Sequence, residues 1–139
     1  MKIDGACHCG AIAFEAEVDP ARVSICHCSD CQALSGSAFR TSVHAAKADF
    51  RLLKGKPKEY VKTGESGVRR IQAFCADCGS PIYSAAPGDT PFYFIRAGTV
   101  RQRAQLAPKV QIWCQSRLGW LSGLDGIPRF ERQPPLPPK

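Results

Sequence analysis

Between residues 11 and 18 apolar and polar side chains alternate. Ile12, Phe14, Ala16 and Val18 fall on one side, Glu15 and Glu17 on the other. A period of two marks a half-buried strand, and Asp19-Pro20 ends it. Short runs at 39–44, 50–53, 59–61, 68–74, 81–83 and 92–97 read as further strands. Turn signals separate several of them: Lys54-Gly55-Lys56-Pro57, Thr63-Gly64 and Pro87-Gly88-Asp89. Regularly spaced short strands predict a mainly β domain with short helical turns. No long stretch carries a helical period. One short helix is predicted over 30–34, with Ser29 and Gln32 at the spacing of a capping box and Gly36 as its stop.

The 139 residues fit one domain. The expected unit runs over 1–132, followed by a Pro-rich tail over 133–139 in which an extended or frayed chain is expected. Met1-Lys2-Ile3-Asp4-Gly5 leads to Cys7 without an apolar run, and no stretch approaches the length of a membrane span. A cytoplasmic, reducing setting is the resulting expectation. There, the seven clustered cysteines of the eight present read as metal ligands rather than disulfides. A bridge across Cys-x-Cys would also be strained. The formal charge is +7. Seven metal-bound thiolates and two zinc ions would lower it by three, to about +4. Such a balance permits an anionic partner without demanding one.

The cysteines divide by their neighbours. Cys7-His8-Cys9-Gly10 and Cys75-Ala76-Asp77-Cys78-Gly79 each end in Cys-Gly. Glycine tolerates the positive φ that lets a backbone wrap a metal-bound sulfur. Cys7, Cys9, Cys75 and Cys78 are therefore expected to close one four-thiolate site, whose binding energy becomes folding energy. The alternative gives the middle cluster one cysteine of an outer pair. Cys26, Cys28 and Cys31 lie within six residues and lack such a glycine. Three protein ligands leave a position for water or substrate, as in a catalytic zinc site. The alternative is a closed structural site completed by a cysteine from elsewhere. The predicted helix places Cys31 in a first turn, where the helix dipole lowers a thiol's pKa and favours anions.

Other residues carry less. His8 and His27 each lie between two cysteines and on extended backbone point away from the metal face. His44 reads as a strand residue. Cys114, beside Trp113, reads as a buried core thiol, with an extra ligand or redox partner as the alternative. Val68-Arg69-Arg70 reads as a solvated strand face. Arg40 and Arg96 have the chemistry to bind carboxylates, but position alone does not distinguish them from surface arginines.

The order Gly5-Ala6-Cys7-His8-Cys9-Gly10, Cys26-His27-Cys28-Ser29-Asp30-Cys31-Gln32, Phe74-Cys75-Ala76-Asp77-Cys78-Gly79 and the closing Gly126-Ile127-Pro128-Arg129-Phe130 resembles the glutathione-dependent formaldehyde-activating enzyme family, which includes centromere protein V. The resemblance implies a zinc-stabilised β-tent fold. It implies a structural zinc on Cys7, Cys9, Cys75 and Cys78 and a catalytic-type zinc on Cys26, Cys28 and Cys31. It further implies a carbon–sulfur lyase that joins glutathione and formaldehyde as S-hydroxymethylglutathione. Many relatives carry a His directly before the segment that here reads Ile112-Trp113; this chain has Gln111, which cannot titrate in its place. The expected function is a zinc enzyme acting on glutathione or a similar thiol and an aldehyde, without membrane contact. The alternatives are a non-catalytic zinc-stapled binding module and a redox-sensing zinc protein. Nucleic acid is not expected as a partner, because basic residues are not interleaved with stacking aromatics; the aromatics read as core and strand residues.

Overall fold

The computed structural model describes residues 1–137. Pro138 and Lys139, the end of the expected tail, lie outside the described residues. Each strand expected from the pattern is present: β2 (Ala13–Glu17), β4 (Arg40–Ala46), β5 (Phe50–Lys54), β6 (Lys58–Thr63), β7 (Arg69–Phe74), β8 (Pro81–Ala85) and β9 (Phe92–Arg96). Three strands escape the pattern: β1 (Lys2–Ala6), β3 (Val23–Cys26) and β10 (Val110–Ile112). In β1 only Ile3 is buried, and β10 is exposed throughout, so neither has an apolar face to read. The one α-helix among the described residues, α1, spans Ser29–Ser35.

The strands form two sheets. A small antiparallel sheet runs β1-β2-β5, and a seven-stranded sheet runs β10-β3-β4-β9-β8-β7-β6. Every pairing in the large sheet is antiparallel except β10 with β3, which sets Ile112 beside Cys26. Inward side chains of both sheets make one core: Ile3, Phe14 and Ala16 from the small sheet meet Val23, Val43, Ile82 and Ile95 from the large one. An aromatic group extends this core. Phe14 stacks on Phe50, and Tyr83 lies flat on Tyr93 with ring centroids 4.2 Å apart. The alternation read at 11–18 is the mechanism here, since Phe14 and Ala16 are buried while Glu15 and Glu17 face outward.

Several aromatics are not core residues. Tyr60, Phe92, Trp113, Trp120 and Phe130 are exposed. Tyr60 and Phe92 are strand residues as expected, whereas Trp113, Trp120 and Phe130 lie outside the strands, which corrects the expectation that aromatics serve core and strand positions. Trp120 lies in a 3-10 segment and Phe130 in irregular chain, both after the last strand, where no further sheet covers them.

Gly5 fixes how closely β1 approaches the rest. It bridges Val100, and a Cβ there would fall well inside contact distance of the Thr99 carbonyl oxygen and the Phe14 ring. Gly98 has open space at the same position. We predict that Gly5→Ala lowers unfolding free energy by about 1–3 kcal/mol, the usual cost of overpacking, while Gly98→Ala changes it by less than about 0.5 kcal/mol. Urea melts of the two variants check this.

Candidate functional site

Cys7 and Cys9 sit in the loop from β1 to β2, and Cys75 and Cys78 sit in the turn from β7 to β8. The two turns are built alike. Cys7 N donates to Ile12 O and Gly10 N to Cys7 O; Cys75 N donates to Ser80 O and Gly79 N to Cys75 O. Gly10 and Gly79 both have φ of +80°, the conformation expected where Cys-Gly wraps a sulfur. The Cys7 Sγ also accepts the Ile12 N–H at 3.2 Å.

The four thiols of these turns converge, their sulfurs lying within 4.8 Å of one another. Sulfurs bound tetrahedrally to one zinc-sized ion at about 2.3 Å stand about 3.8 Å apart. Cys7 Sγ and Cys9 Sγ are 3.7 Å apart, and Cys9 Sγ and Cys75 Sγ are 3.8 Å apart. The cage therefore has the dimensions of a closed tetrathiolate site. Within it the Cys78 thiol is pulled down to about 5, first by the Ser80 hydroxyl and then by backbone N–H groups of Ser80 and Cys9.

Cys26, Cys28 and Cys31 form a second cluster with sulfurs within 4.8 Å of one another, and neither His8 nor His27 joins either group. Cys26 ends β3, and Cys31 lies in α1. The structure corrects the cap. Cys28, not Ser29, is the N-cap, in extended conformation, and its Sγ accepts the Cys31 N–H at 3.3 Å. Gln32 does not close a capping box. Its amide donates to His27 O and to Ser116 O, tying α1 to the segment after β10. The reason is that the chain enters the helix directly from a cysteine whose sulfur already lies over the first turn. Gly36 ends the helix as expected.

The environment of this cluster is cationic. Arg40, paired across the ladder with Cys26, sends Nη2 to Cys31 Sγ at 3.3 Å. The Cys31 thiol is pulled down to about 5, first by the hydrogen bond from the Cys26 thiol, against the opposing effect of burial, and then by the Arg40 charge. Cys26 is pushed up, chiefly because Cys31 holds the negative charge that they share. Arg96 is buried on the neighbouring strand, with Nη1 to Ser42 Oγ at 2.7 Å and Nη2 to Gln72 Oε1 at 2.8 Å. Burial, then repulsion from Arg40, lowers it to about 9, so it stays protonated at neutral pH. Arg70 lies over the Phe94 ring, 4.9 Å from its centroid, and its Nη2 donates to Ser84 Oγ. Among the described residues the ion pairs are Met1–Glu17, Lys47–Asp89, Arg51–Glu15, Lys62–Asp30 and Arg101–Asp4. None involves Arg40, Arg70 or Arg96.

Two cavities lie near the cluster, one against Arg40 and one against Cys28. One, of about 480 Å³, is lined by Arg40, Arg96, Gln72, Leu34, Phe74 and Tyr83 among others. The other, of about 240 Å³, is lined by Cys28, Asp30, Lys62, Arg70 and Trp113 among others. Arg40 and Arg96 are thus separated from surface arginines by folding. Ser42 and Gln72, which hold Arg96, gave no sequence signal. The only hint was an arginine closing the apolar run of β9. Arg70 is half-buried against Phe94, whereas Arg69 is solvated as expected. His27 is buried, with Nε2 against Gln111 Oε1 at 2.8 Å, and His44 packs on Phe92 and Phe94 as a strand residue. Cys114 is exposed rather than a core thiol. It follows Trp113, whose φ of +57° turns the chain out of β10, so the apolar neighbour does not bury it.

A model of the family described as glutathione-dependent formaldehyde-activating enzyme matches residues 2–116. The chain belongs to this family. Its matched region contains both thiol clusters, Arg40 and Arg96. An uncharacterised lyase of Schizosaccharomyces pombe is 29% identical over 94 residues, which cover 68% of this chain and 65% of that protein. A solved Rhodobacter sphaeroides protein shares the fold, with TM-score 0.61 at 21% identity over 78% of this chain and 98% of that one.

Two clusters of such different reach should release metal separately. We predict that graded chelation of metal-loaded protein removes one equivalent first with little change in far-ultraviolet circular dichroism. The second equivalent, from the cage between the sheets, should leave together with the fold. Simultaneous loss of both metals and of structure would contradict the division.

Proposed function

We propose that this chain is a zinc-dependent lyase-type enzyme that makes or breaks a carbon–sulfur bond between a small thiol, glutathione or a similar one, and an aldehyde. The observation that carries this reading is the three-thiol cluster with cavities against Cys28 and Arg40. Family membership and the lyase name of the yeast relative support the class. Clustered thiolates with tetrahedral spacing favour zinc among the common divalent ions. Cys7, Cys9, Cys75 and Cys78 would hold a structural ion, and Cys26, Cys28 and Cys31 a catalytic one. Bound at the middle cluster, zinc supplies Lewis acidity and keeps a coordinated thiol deprotonated.

The chain's own groups do the rest. The Cys26 thiol, and after it Arg40, favour the thiolate form of Cys31. Cys28 meets the smaller cavity, where Trp113 forms part of the wall and Arg70 and Lys62 add positive charge against Asp30. Gln111 Oε1 accepts from His27 Nε2, which places a ring proton on Nε2. Among the described residues no helix is long and apolar enough to cross a membrane. Free thiols in this number fit a reducing compartment, and the cytoplasm is the proposed location. Nucleic acid is not proposed as a partner.

Single Cys→Ser variants test the roles. Cys26→Ser, Cys28→Ser and Cys31→Ser should each abolish glutathione binding, followed by zinc-edge absorption, yet melt near the parent temperature. Their zinc spans six residues and closes almost no loop. Cys75→Ser should melt roughly 10 °C or more lower, given about 3–5 °C per kcal/mol at this size. Cys114→Ser should change neither. If the middle variants melt as early as Cys75→Ser, that cluster is structural and the enzyme reading fails.

A further inference from the structure

Arg96 and Arg40 are only 8% and 7% exposed and line the same cavity. A guanidinium has five N–H groups. Arg96 uses two of them, on Ser42 and Gln72, both neutral, and three remain. Arg40 uses one on Cys31, and its Nε is fully buried without a partner. A buried cation held only by neutral groups is destabilising unless an anion completes it.

We infer that the 480 Å³ cavity is a monocarboxylate subsite, with Arg96 as the residue that receives the carboxylate and Arg40 lending its unpaired N–H groups. This deepens the reading above and rests on it only for the thiol end of the ligand. Charge decides the class. Arg40 already faces a thiol of the cluster, Cys31. Lys58 and Glu59, exposed neighbours on β6, oppose each other at the cavity. Arg70 lies along the other cavity. One uncompensated positive charge, that of Arg96, is left, and it matches a carboxylate rather than a phosphate dianion. The remaining wall includes Leu34, Phe74 and Tyr83, which suit a methylene chain better than a sugar. Arg40 both lines the cavity and touches Cys31, so the carboxylate end of a thiol acid would sit one side chain away from the cluster. The subsite thus selects carboxylate-bearing thiols over neutral ones.

Calorimetry on zinc-loaded protein at fixed ionic strength tests this with mercaptopropionate, its methyl ester, propionate and inorganic phosphate. The acid should bind at least about tenfold tighter than the ester, the scale of a charge-assisted hydrogen bond. Propionate should compete with the acid, and phosphate should bind more weakly than propionate. Arg96→Gln should abolish the difference between acid and ester. Gln72→Glu, which sets a carboxylate against Arg96 Nη2, should abolish it too while raising the melting temperature, so the test survives if Arg96→Gln fails to fold. Equal binding of acid and ester, tighter binding of phosphate, or an undiminished preference in Gln72→Glu overturns the inference. Cys28→Ser separates the two readings. It should lose the ester but keep propionate; an ester that still binds there counts against the thiol reading alone, and propionate lost there counts against the subsite.

Discussion

The four sulfurs of Cys7, Cys9, Cys75 and Cys78 meet between two turns that belong to different sheets. Everything else in the molecule is arranged about that junction. One turn joins the first two strands of the small sheet, and the other joins β7 to β8 in the large one. Sixty-odd residues of intervening chain are closed by one cage, so an ion bound there would stabilise the contact between the layers, not a local loop. The apolar core lies in the same gap. Cys7 and Cys75 are themselves members of it, beside Ile12 and Ile82. Metal cage and hydrophobic core are thus mutually dependent. A domain with a core of this modest size gains from such a staple what a larger one obtains from burial alone.

The middle cluster obeys the opposite constraint. Its three sulfurs come from one short stretch, and what holds them in place is packing from neighbouring strands. β4 brings Arg40 to Cys31, and β10 covers the end of β3. The negative charge of the sulfurs and the positive charge of the arginines are both removed from bulk water, where they interact more strongly than at a surface. Arg40 is therefore part of the cluster electrostatically although it supplies no ligand. Arg96 stands one strand further in, held by neutral acceptors. Arg40 at the sulfur cluster and Arg96 on the next strand, both lining one cavity, give this side of the molecule a polarity. Fold likeness to another protein says nothing about that polarity; it is a property of Arg40, Gln72 and Arg96 in this chain.

Strong local patterns made most of the architecture legible in the chain itself. The alternation at 11–18 produced β2 because burial of Phe14 and Ala16 needs nothing but period two. Cys-Gly at both outer pairs predicted the two matching turns, since a positive φ next to a metal-type sulfur is a local demand that glycine meets. Gly36 ended the helix for reasons within one turn of chain. The division of the seven clustered cysteines into four and three followed from those same local features.

Tertiary structure decided what depended on neighbours distant in sequence. Cys28 rather than Ser29 caps α1 because the sulfur was already placed there by β3. Cys114 is exposed because Trp113 turns the chain away from the sheet, a matter of one residue's φ that no hydropathy pattern encodes. β10 has an exposed, unpatterned sequence and exists because β3 offers it a free edge. Arg40 and Arg96 are alike in sequence to arginines on the surface; only the ladders β3-β4-β9 bring one to Cys31 and bury the other against Ser42, and only the approach of β7 adds Gln72. Local sequence sets dihedral preference and periodicity, whereas burial of a charge is fixed by which strands pair, and that is settled only when the whole sheet has formed.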